Sequence, residues 1–406
     1  MFDLSALREL DWLLVVAMVL IIAVGIVVIF SAEPAYAKKQ LMFCGAGLLV
    51  LFFLSCFDYH WFGKASVWLY GGLLVALVLV LVAGTGAGGA RRWFPLPMGF
   101  RIQPSEFMKL ACIFLLAYAL DRYHDHREKV LYTLVPLGLL LVPMALIVKQ
   151  PDLGTAVAML PVLFGLLLAA RARTRYVLVV VLVGVLAVPA LWLKMAPYQK
   201  KRVLEFLTVP QRRVAIRFMT AGDREALRER LRTELDPGGE KGLEELIEGI
   251  KGSWNSEQSK IAVGSGGLYG RGFRKGTQVQ LDFLYAAHTD FIFPTLGEEW
   301  GFFGCLVVLA LYFLLLERGL RIASQAVDTF GRLVALGIVV LLASHILINV
   351  SMSIGLLPIT GLPLPLLSYG GSSLLMTMGS VGILQSIHTR RHYFKSGKYS
   401  LEVQGG

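Results

Sequence analysis

Charge is scarce in this chain of 406 residues. Asp, Glu, Lys and Arg make up 17% of it, against about a quarter in an ordinary soluble domain. Acidic residues are the rarer sign, 28 against 39 basic. Cysteine is rarer still. The four cysteines (Cys44, Cys56, Cys112 and Cys305) all fall inside or at the ends of apolar runs. With no Cys-x-x-Cys pair and no ligand spacing, neither a disulfide framework nor a zinc site is expected. The Gly-Lys-Ser/Thr ending of a phosphate-binding Walker loop is also missing.

What the chain does have is apolar residues, 56% of the total, gathered into blocks. Trp12–Phe30, Val130–Val148, Leu153–Ala170, Tyr176–Leu193 and Leu333–Leu357 contain no Asp, Glu, Lys or Arg. A membrane-spanning helix needs about 20 such residues. The segregation excludes a soluble enzyme and points to an all-α polytopic membrane protein. Trp12–Phe30 is too long for a typical secretory core and lacks a basic start, so no signal peptide is expected and this block reads as the first span.

Ten transmembrane helices are expected, at about 11–31, 40–57, 65–86, 105–121, 130–148, 153–171, 175–193, 300–317, 332–356 and 367–388. With both termini cytoplasmic, the inside segments carry 15 Lys and Arg and the short outside loops six. That asymmetry orients the chain. It also places 194–299 as a large extracytoplasmic loop between spans 7 and 8. The net charge of +11 then reflects loop cations near lipid headgroups rather than nucleic-acid binding.

The long loop has parts of its own. Residues 198–209 put Val203, Phe206 and Leu207 on one face, as in an interfacial helix. Leu227, Leu231 and Leu235, then Leu243, Leu246, Ile247 and Ile250, repeat at helical spacing. Pro237-Gly238-Gly239 between them marks a turn. A helical-hairpin insertion over 211–251 is therefore expected within a single domain, 1–406.

Charges in or beside a span are costly and functional by default. The fourth span begins RIQPSEFMKL. Pro104 suits a first helical turn, and Glu106 and Lys109 share one helix face. Read alone, they form either a self-neutralising pair or a site in which Arg101 and Lys109 face a pyrophosphate and Glu106 holds them. In AAHTDFIFPTLGEEWG, Asp290 stands where an apolar stretch enters the membrane. Desolvation raises a carboxyl pKa at such an edge, and such a group can act as a general base. A helix cap explains Asp290 equally well. His288 reads as a surface or capping residue, and Glu298 and Glu299 as a helix start. The glycines of GSGGLYGRG (264–272) read as a structured turn. In GLLPITGLPLPLLSYGGSS (355–373), prolines and Tyr-Gly-Gly break the helix between two spans. Non-helical backbone at that depth must be buried in protein or line a cavity, and Ser368, Tyr369, Ser372 and Ser373 could line one. VKQPDLGT is a polar corner, SEQSKIAVGSGG adds Gln258 and Lys260, and Asn349 is a lone polar residue suited to a helix–helix hydrogen bond.

Five of these strings, RIQPSEFMKL, KQPDLGTA, QSKIAVGSGGLYGRG, AHTDFIFPTLGEEWG and GLPLPLLSYGGSS, taken in order, resemble the SEDS family (shape, elongation, division and sporulation). The resemblance covers nearly the whole chain except roughly 211–251. GFRKGTQVQL and GLPLPLLSYGG lean to its rod-shape branch rather than its division branch. The resemblance implies a peptidoglycan glycosyltransferase of the bacterial cytoplasmic membrane that polymerises lipid II. It would work on the extracytoplasmic side with a class B penicillin-binding protein and other elongation-complex membrane proteins. The family's essential aspartate falls on Asp290, and its Arg, Glu and Lys on Arg101, Glu106 and Lys109. The family usually has a Pro-Glu shortly before His-Thr-Asp; here the string is Leu284-Tyr285-Ala286-Ala287, so no role of that glutamate carries over.

On this reading Asp290 takes the proton of the acceptor's 4-hydroxyl, and Arg101 and Lys109 stabilise the leaving pyrophosphate. Glu106, Lys260, Gln258, His288 and Ser368 complete the binding residues. A divalent cation, magnesium or manganese, could share the pyrophosphate, although one Asp and scattered Glu give no metal-ligand set. Two rivals belong to other classes. A lipid II flippase would suit ten spans, but the two halves show no repeated broken-helix pattern. A non-catalytic scaffold for a transpeptidase would not need an acid and two cations at one lipid–water boundary.

Overall fold

The computed structural model describes residues 4–86, 91–95, 101–194, 200, 255–281 and 283–391. The interfacial helix expected over 198–209 falls almost wholly, and the 211–251 insertion wholly, outside the described residues. Ten long helices follow one another among those described. They are α1 (Trp12–Ala32), α2 (Pro34–Cys56), α3 (His60–Ala83), α4 (Pro104–Arg122), α5 (Leu131–Lys149), α6 (Leu153–Ala169), α7 (Thr174–Lys194), α8 (Ile292–Gln325), α9 (Thr329–Ser353) and α10 (Gly371–Thr389). Short polar side chains start several of them. Asp11, Asp152 and Asp328 accept from the backbone N–H groups of Leu14, Thr155 and Gly331 and cap α1, α6 and α9. Pro34 and Pro104 occupy the first turns of α2 and α4, where a missing N–H is harmless. Between α3 and α4, Phe94–Pro95 (β1) and Arg101–Ile102 (β2) pair antiparallel.

Six helices (α1, α2, α3, α5, α8 and α9) are long and apolar enough to cross a membrane. α6 and Thr174–Ala187 of α7 are apolar but shorter. α4 and α10 are not in either group, and burial gives the reason. Thirteen of the 19 residues of α4 and 17 of the 19 of α10 are buried. Protein rather than lipid surrounds them, so Ser, Thr, Gln, Glu and Lys are tolerated. α3 is the opposite case, with only 22% of its apolar window buried.

α10 packs on α2, α3 on α4, and α9 on both α6 and α8. Small residues allow the close approaches, as in other membrane bundles. A Cβ on Gly382 of α10 would stand 2.7 Å from the Leu51 carbonyl oxygen of α2, and one on Gly337 of α9 would stand 2.7 Å from the Ile113 side chain of α4.

α8 differs from the expected span. It begins at Ile292 rather than near 300 and is broken at Gly301, where φ is 68° and ψ is −164°, a conformation essentially restricted to glycine. Glu298 and Glu299 therefore end a short helical piece instead of starting the span. The glycine-rich turn clasps this break. Arg271 N–H and Gly272 N–H donate to the carbonyls of Glu298 and Glu299, at 2.9 and 3.0 Å, and Phe302 N–H donates to Gly267 O at 2.9 Å. A Cβ on Gly266 would lie 1.9 Å from Gly297 O. Close backbone contact is thus the use of these glycines.

The last connection, 355–370, is non-helical as expected and enters the bundle. Leu362, Leu364, Leu366 and Leu367 are fully buried. A Cβ on Gly25, midway along α1, would meet Leu367 O at 2.5 Å, and one on Gly154 of α6 would meet Thr360 O at 2.6 Å. The Tyr312 hydroxyl of α8 donates to Pro365 O. Irregular backbone at this depth is walled by protein on several sides, which is the condition for its existence.

Candidate functional site

The His288-Thr289-Asp290 tripeptide forms a tight turn just before α8. Ala286 has a positive φ of 58°, and its carbonyl accepts from Thr289 N–H at 3.0 Å and Phe291 N–H at 3.3 Å. The three carbonyls of the tripeptide are each held from another part of the chain. Tyr369 N–H donates to His288 O at 2.9 Å. The Ser368 hydroxyl donates to Thr289 O at 2.7 Å. Asn349 Nδ2 donates to Asp290 O at 2.9 Å and to Leu362 O at 2.7 Å. The Asp290 side chain is half-buried and lies against Gly361, where a Cβ would come 3.6 Å from Oδ2.

An aromatic group flanks this turn. His288 stacks on Tyr36 of α2 with ring centroids 4.3 Å apart and planes 15° from parallel. Tyr369 leans on Tyr36 at 4.6 Å. Glu33 Oε2 is 3.9 Å from His288 Nδ1. Burial lowers the His288 pKa, partly offset by the Glu33 carboxylate. Gln40 ties the same corner to α2: its Nε2 donates to Ser368 O at 3.1 Å and its Oε1 accepts from Gly370 N–H at 3.4 Å.

Arg101 is exposed on β2. Its carbonyl accepts from the Ser372 hydroxyl at 3.3 Å, and that hydroxyl accepts from Gln103 N–H at 3.0 Å. Two of the polar strings meet here, because Gln103 Nε2 donates to Asp152 Oδ2 at 3.0 Å. Arg92 closes the corner by donating to Gln150 O at 2.7 Å and to Pro151 O. Arg101 and the Asp290 turn thus hang on the same 368–372 segment, through Ser372 on one side and Ser368 and Tyr369 on the other.

Lys109 departs from its expected place facing a pyrophosphate. It is 1% exposed. Its ammonium donates to Glu106 Oε1 at 2.8 Å and to His345 Nε2 of α9 at 3.2 Å. Desolvating an ion is expensive unless it is paired, so this lysine is engaged with protein on both sides. Ser368 likewise has its hydroxyl bonded at both ends, donating to Thr289 O and accepting from Leu364 N–H at 2.8 Å.

Gln258 and Lys260 lie on the helical stretch 255–265, which sits over the end of α9. The Ser259 hydroxyl donates to Ser353 O at 2.6 Å. Lys260 crosses Gly355 so closely that a Cβ there would come 1.8 Å from its Cε, and Gln258 is buried. A cation at a helix C-terminus is favoured by the unpaired carbonyls. Glu298, fully buried, accepts from Gln278 N–H at 3.2 Å and Thr277 Oγ1 at 3.1 Å. Glu299 accepts from Arg274 N–H at 3.2 Å and from the Ser31 hydroxyl. Both acids brace the clasp. No group of three or more His, Cys, Asp or Glu among the described residues could hold a metal ion.

Sequence reasoning did not single out Tyr36, Glu33, Gln40 or His345. Gln40 and His345 are uncharged polar residues inside helices, and that anomaly is the cue that could have marked them. Glu33 and Tyr36 stand at the start of α2, and only the fold brings them to His288.

A bundle of helices with buried charges, six of them long and apolar enough to cross a membrane, is the architecture of a multi-pass membrane protein. The chain belongs to the FtsW/RodA/SpoVE family of cell cycle proteins, the SEDS family, whose sequence model matches residues 7–212 and 241–393. It is 36% identical over 395 residues to a probable peptidoglycan glycosyltransferase FtsW of Trichlorobacter lovleyi, covering 94% of this chain and 93% of that one. It is 35% identical over 388 residues to the peptidoglycan glycosyltransferase MrdB of Escherichia coli K12, covering 94% of each. A solved structure described as the structural coordination of polymerization and crosslinking by a peptidoglycan synthase complex superposes with a TM-score of 0.73. That match has 30% identity and covers 94% of this chain and 98% of the other.

Proposed function

We infer that this protein is a peptidoglycan glycosyltransferase that joins lipid II units into β-1,4-linked glycan strands. Its membership of the family and the names of its relatives support the activity. The lean to elongation and rod shape rests on GFRKGTQVQL and GLPLPLLSYGG; relatives named FtsW and MrdB are almost equally similar. All ten long helices cross the cytoplasmic membrane, both termini face the cytoplasm, and the Asp290 end lies outside. Residues 194–299 form the extracytoplasmic loop of a single domain, with 211–251 an insertion in it. A class B penicillin-binding protein supplies crosslinking; the likeness to a peptidoglycan synthase complex that coordinates polymerization and crosslinking supports this pairing.

The observation that carries the mechanism is the convergence of the Asp290 turn and the Arg101 strand on one segment, 368–372. Lipid II and the growing strand are both anchored in the membrane, so their sugars lie at its edge. Asp290 takes the proton from the acceptor's 4-hydroxyl as its oxygen attacks the donor's anomeric carbon. The bond from that carbon to the pyrophosphate oxygen breaks, and the configuration inverts from α to β. Exposed Arg101 stabilises the departing pyrophosphate. Lys109 and Glu106 act one step back, by holding α4 against α9. His288 lines the acceptor side, and Ser368, Gln258 and Lys260 shape the surrounding backbone.

The test is polymerisation of fluorescent lipid II by the full-length protein, with and without a co-purified class B penicillin-binding protein, beside Asp290→Asn. Long strands from wild type and none from the folded variant support the reading. Full activity in the variant overturns the role of Asp290. If neither polymerises with the partner present, a flipping assay tests the transporter alternative.

A further inference from the structure

The polar residue at position 349 is buried completely, and its amide nitrogen donates to two carbonyls 13 and 59 residues away in sequence. One is Leu362 O of the re-entrant connection, at 2.7 Å, and the other is Asp290 O, at 2.9 Å. The two N–H groups of one amide therefore join α9, the connection and the turn. The next carbonyl, Thr289 O, is held by the Ser368 hydroxyl, which in turn is fixed by Leu364 N–H. The one before it, His288 O, is held by Tyr369 N–H.

We propose that Asn349, supported by Ser368, is a positioning residue for Asp290 that acts on the rate of glycosyl transfer without touching the sugars. The proposal rests on Asp290 being the general base. A turn with no regular secondary structure has many conformers, and Ala286 is held in one that L-residues rarely adopt. Three successive carbonyl anchors leave the turn little freedom. The carboxylate then stays beside Gly361, in one place relative to the membrane edge where the acceptor arrives. A misplacement of about 1 Å at a reacting group can lower a rate about a hundredfold. Supporting residues set that tolerance when they are locked by packing and hydrogen bonds. Asn349 meets both conditions, since it is buried and uses both of its donors. Replacement by Asp would turn two attractive contacts into carboxylate–carbonyl repulsion.

The prediction is a split between kcat and KM. Asn349→Ala, purified as the full chain with its penicillin-binding partner, loses about ten- to a hundredfold in kcat for lipid II polymerisation. KM for lipid II stays at its wild-type value, because no group that contacts the substrate has been removed. Ser368→Ala, which removes one anchor of the three, loses less in the same direction and serves if Asn349→Ala does not fold. Rates are normalised to the monodisperse folded fraction. A residue of merely structural importance lowers that fraction and leaves the kcat of the remaining protein unchanged. Wild-type kcat in either folded variant therefore overturns the proposal. A rise in KM with kcat unchanged overturns it as well, by making the residue a substrate contact. Asp290→Asn run in parallel separates the two claims. If that variant stays active, the general-base reading fails. If it is inactive while Asn349→Ala and Ser368→Ala turn over normally, only the positioning role fails.

Discussion

The turn around Asp290 is fastened by neutral hydrogen bonds onto backbone carbonyls, whereas the start of α1 at the opposite end is fastened by charged side chains. Asn349, Ser368, Gln40 and Ser372 hold the carbonyls of residues 289, 290, 362, 368 and 101. At the far end Arg318 of α8 grips both oxygens of Asp11, with Nη2–Oδ2 at 2.5 Å. Asp11 and Gln385 of α10 exchange a pair of hydrogen bonds at 2.8 and 3.0 Å. Asp328, before α9, receives the Tyr59 hydroxyl and stands 3.6 Å from His60 Nε2. Burial would raise the Asp328 pKa, but the bonds from His60, Tyr59 and Gly331 N–H outweigh it and lower it. The carbonyls of the turn are tied by uncharged groups, and the nearby ions Arg92, Asp152 and Glu299 hold other segments instead. Between the two ends, the Glu106–Lys109–His345 contact joins α4 to α9.

The largest expected effect is at Asp290. Asp290→Asn should lower polymerisation by about 1,000-fold, within the range of general-base catalysis, with the thermal midpoint in detergent unchanged; a lowered midpoint would blur the contrast between the ends. Next comes Lys109→Met. It leaves a buried carboxylate unpaired and should cost about 3–5 kcal/mol of stability, read by thermal or denaturant unfolding. Lys109→Met with Glu106→Gln should recover most of that, and failure to recover would mean that the ammonium serves something other than Glu106. Asp11→Ala at the far end should destabilise by about 2–3 kcal/mol, through the lost cap and the unpaired arginine, while kcat stays at wild type. A large fall in kcat there would break the division of labour. Gly301→Ala should cost about 1–3 kcal/mol through backbone strain; its Cβ would stand 2.3 Å from Gly270 N. Proteolysis of the clasp over 264–272 checks it.

The smallest effect concerns pH. The folded protein lowers the His288 pKa, so the unfolded chain takes up that proton more readily. The contribution vanishes above the ordinary imidazole pKa of about 6.5 and destabilises as pH falls below it. His288→Gln should flatten the slope of Tm against pH on that acid side.

Much of this was legible in the apolar blocks. α1, α5 and α9 stand within a few residues of the expected spans, because a run of about 20 apolar residues has few alternatives to a helix in lipid. α4 and α10 also fall close to the expected 105–121 and 367–388 although both carry buried polar residues. Asn349 was read as a hydrogen-bonding residue, and it is one, although its partners are turns rather than a neighbouring helix. Other features were not legible. GEEWGF looks like an uninterrupted helix start, and the break at Gly301 becomes visible only with the 264–272 clasp lying on it. Lys109 looked like a ligand for pyrophosphate because nothing local reveals that His345 closes over it.

The order of residues along the chain was enough to set the number and succession of the long helices among the described residues and the irregular connection after α9. Those follow from hydration energy and backbone hydrogen bonding, which act over a few neighbouring residues. Folding in three dimensions settled which of the charged and polar groups are sealed in the bundle, which hold backbone, and which remain at the surface. Those choices depend on pairs such as Lys109 with His345 and Asn349 with Asp290, 236 and 59 residues apart. The low dielectric of the interior makes an unmatched partner there costly.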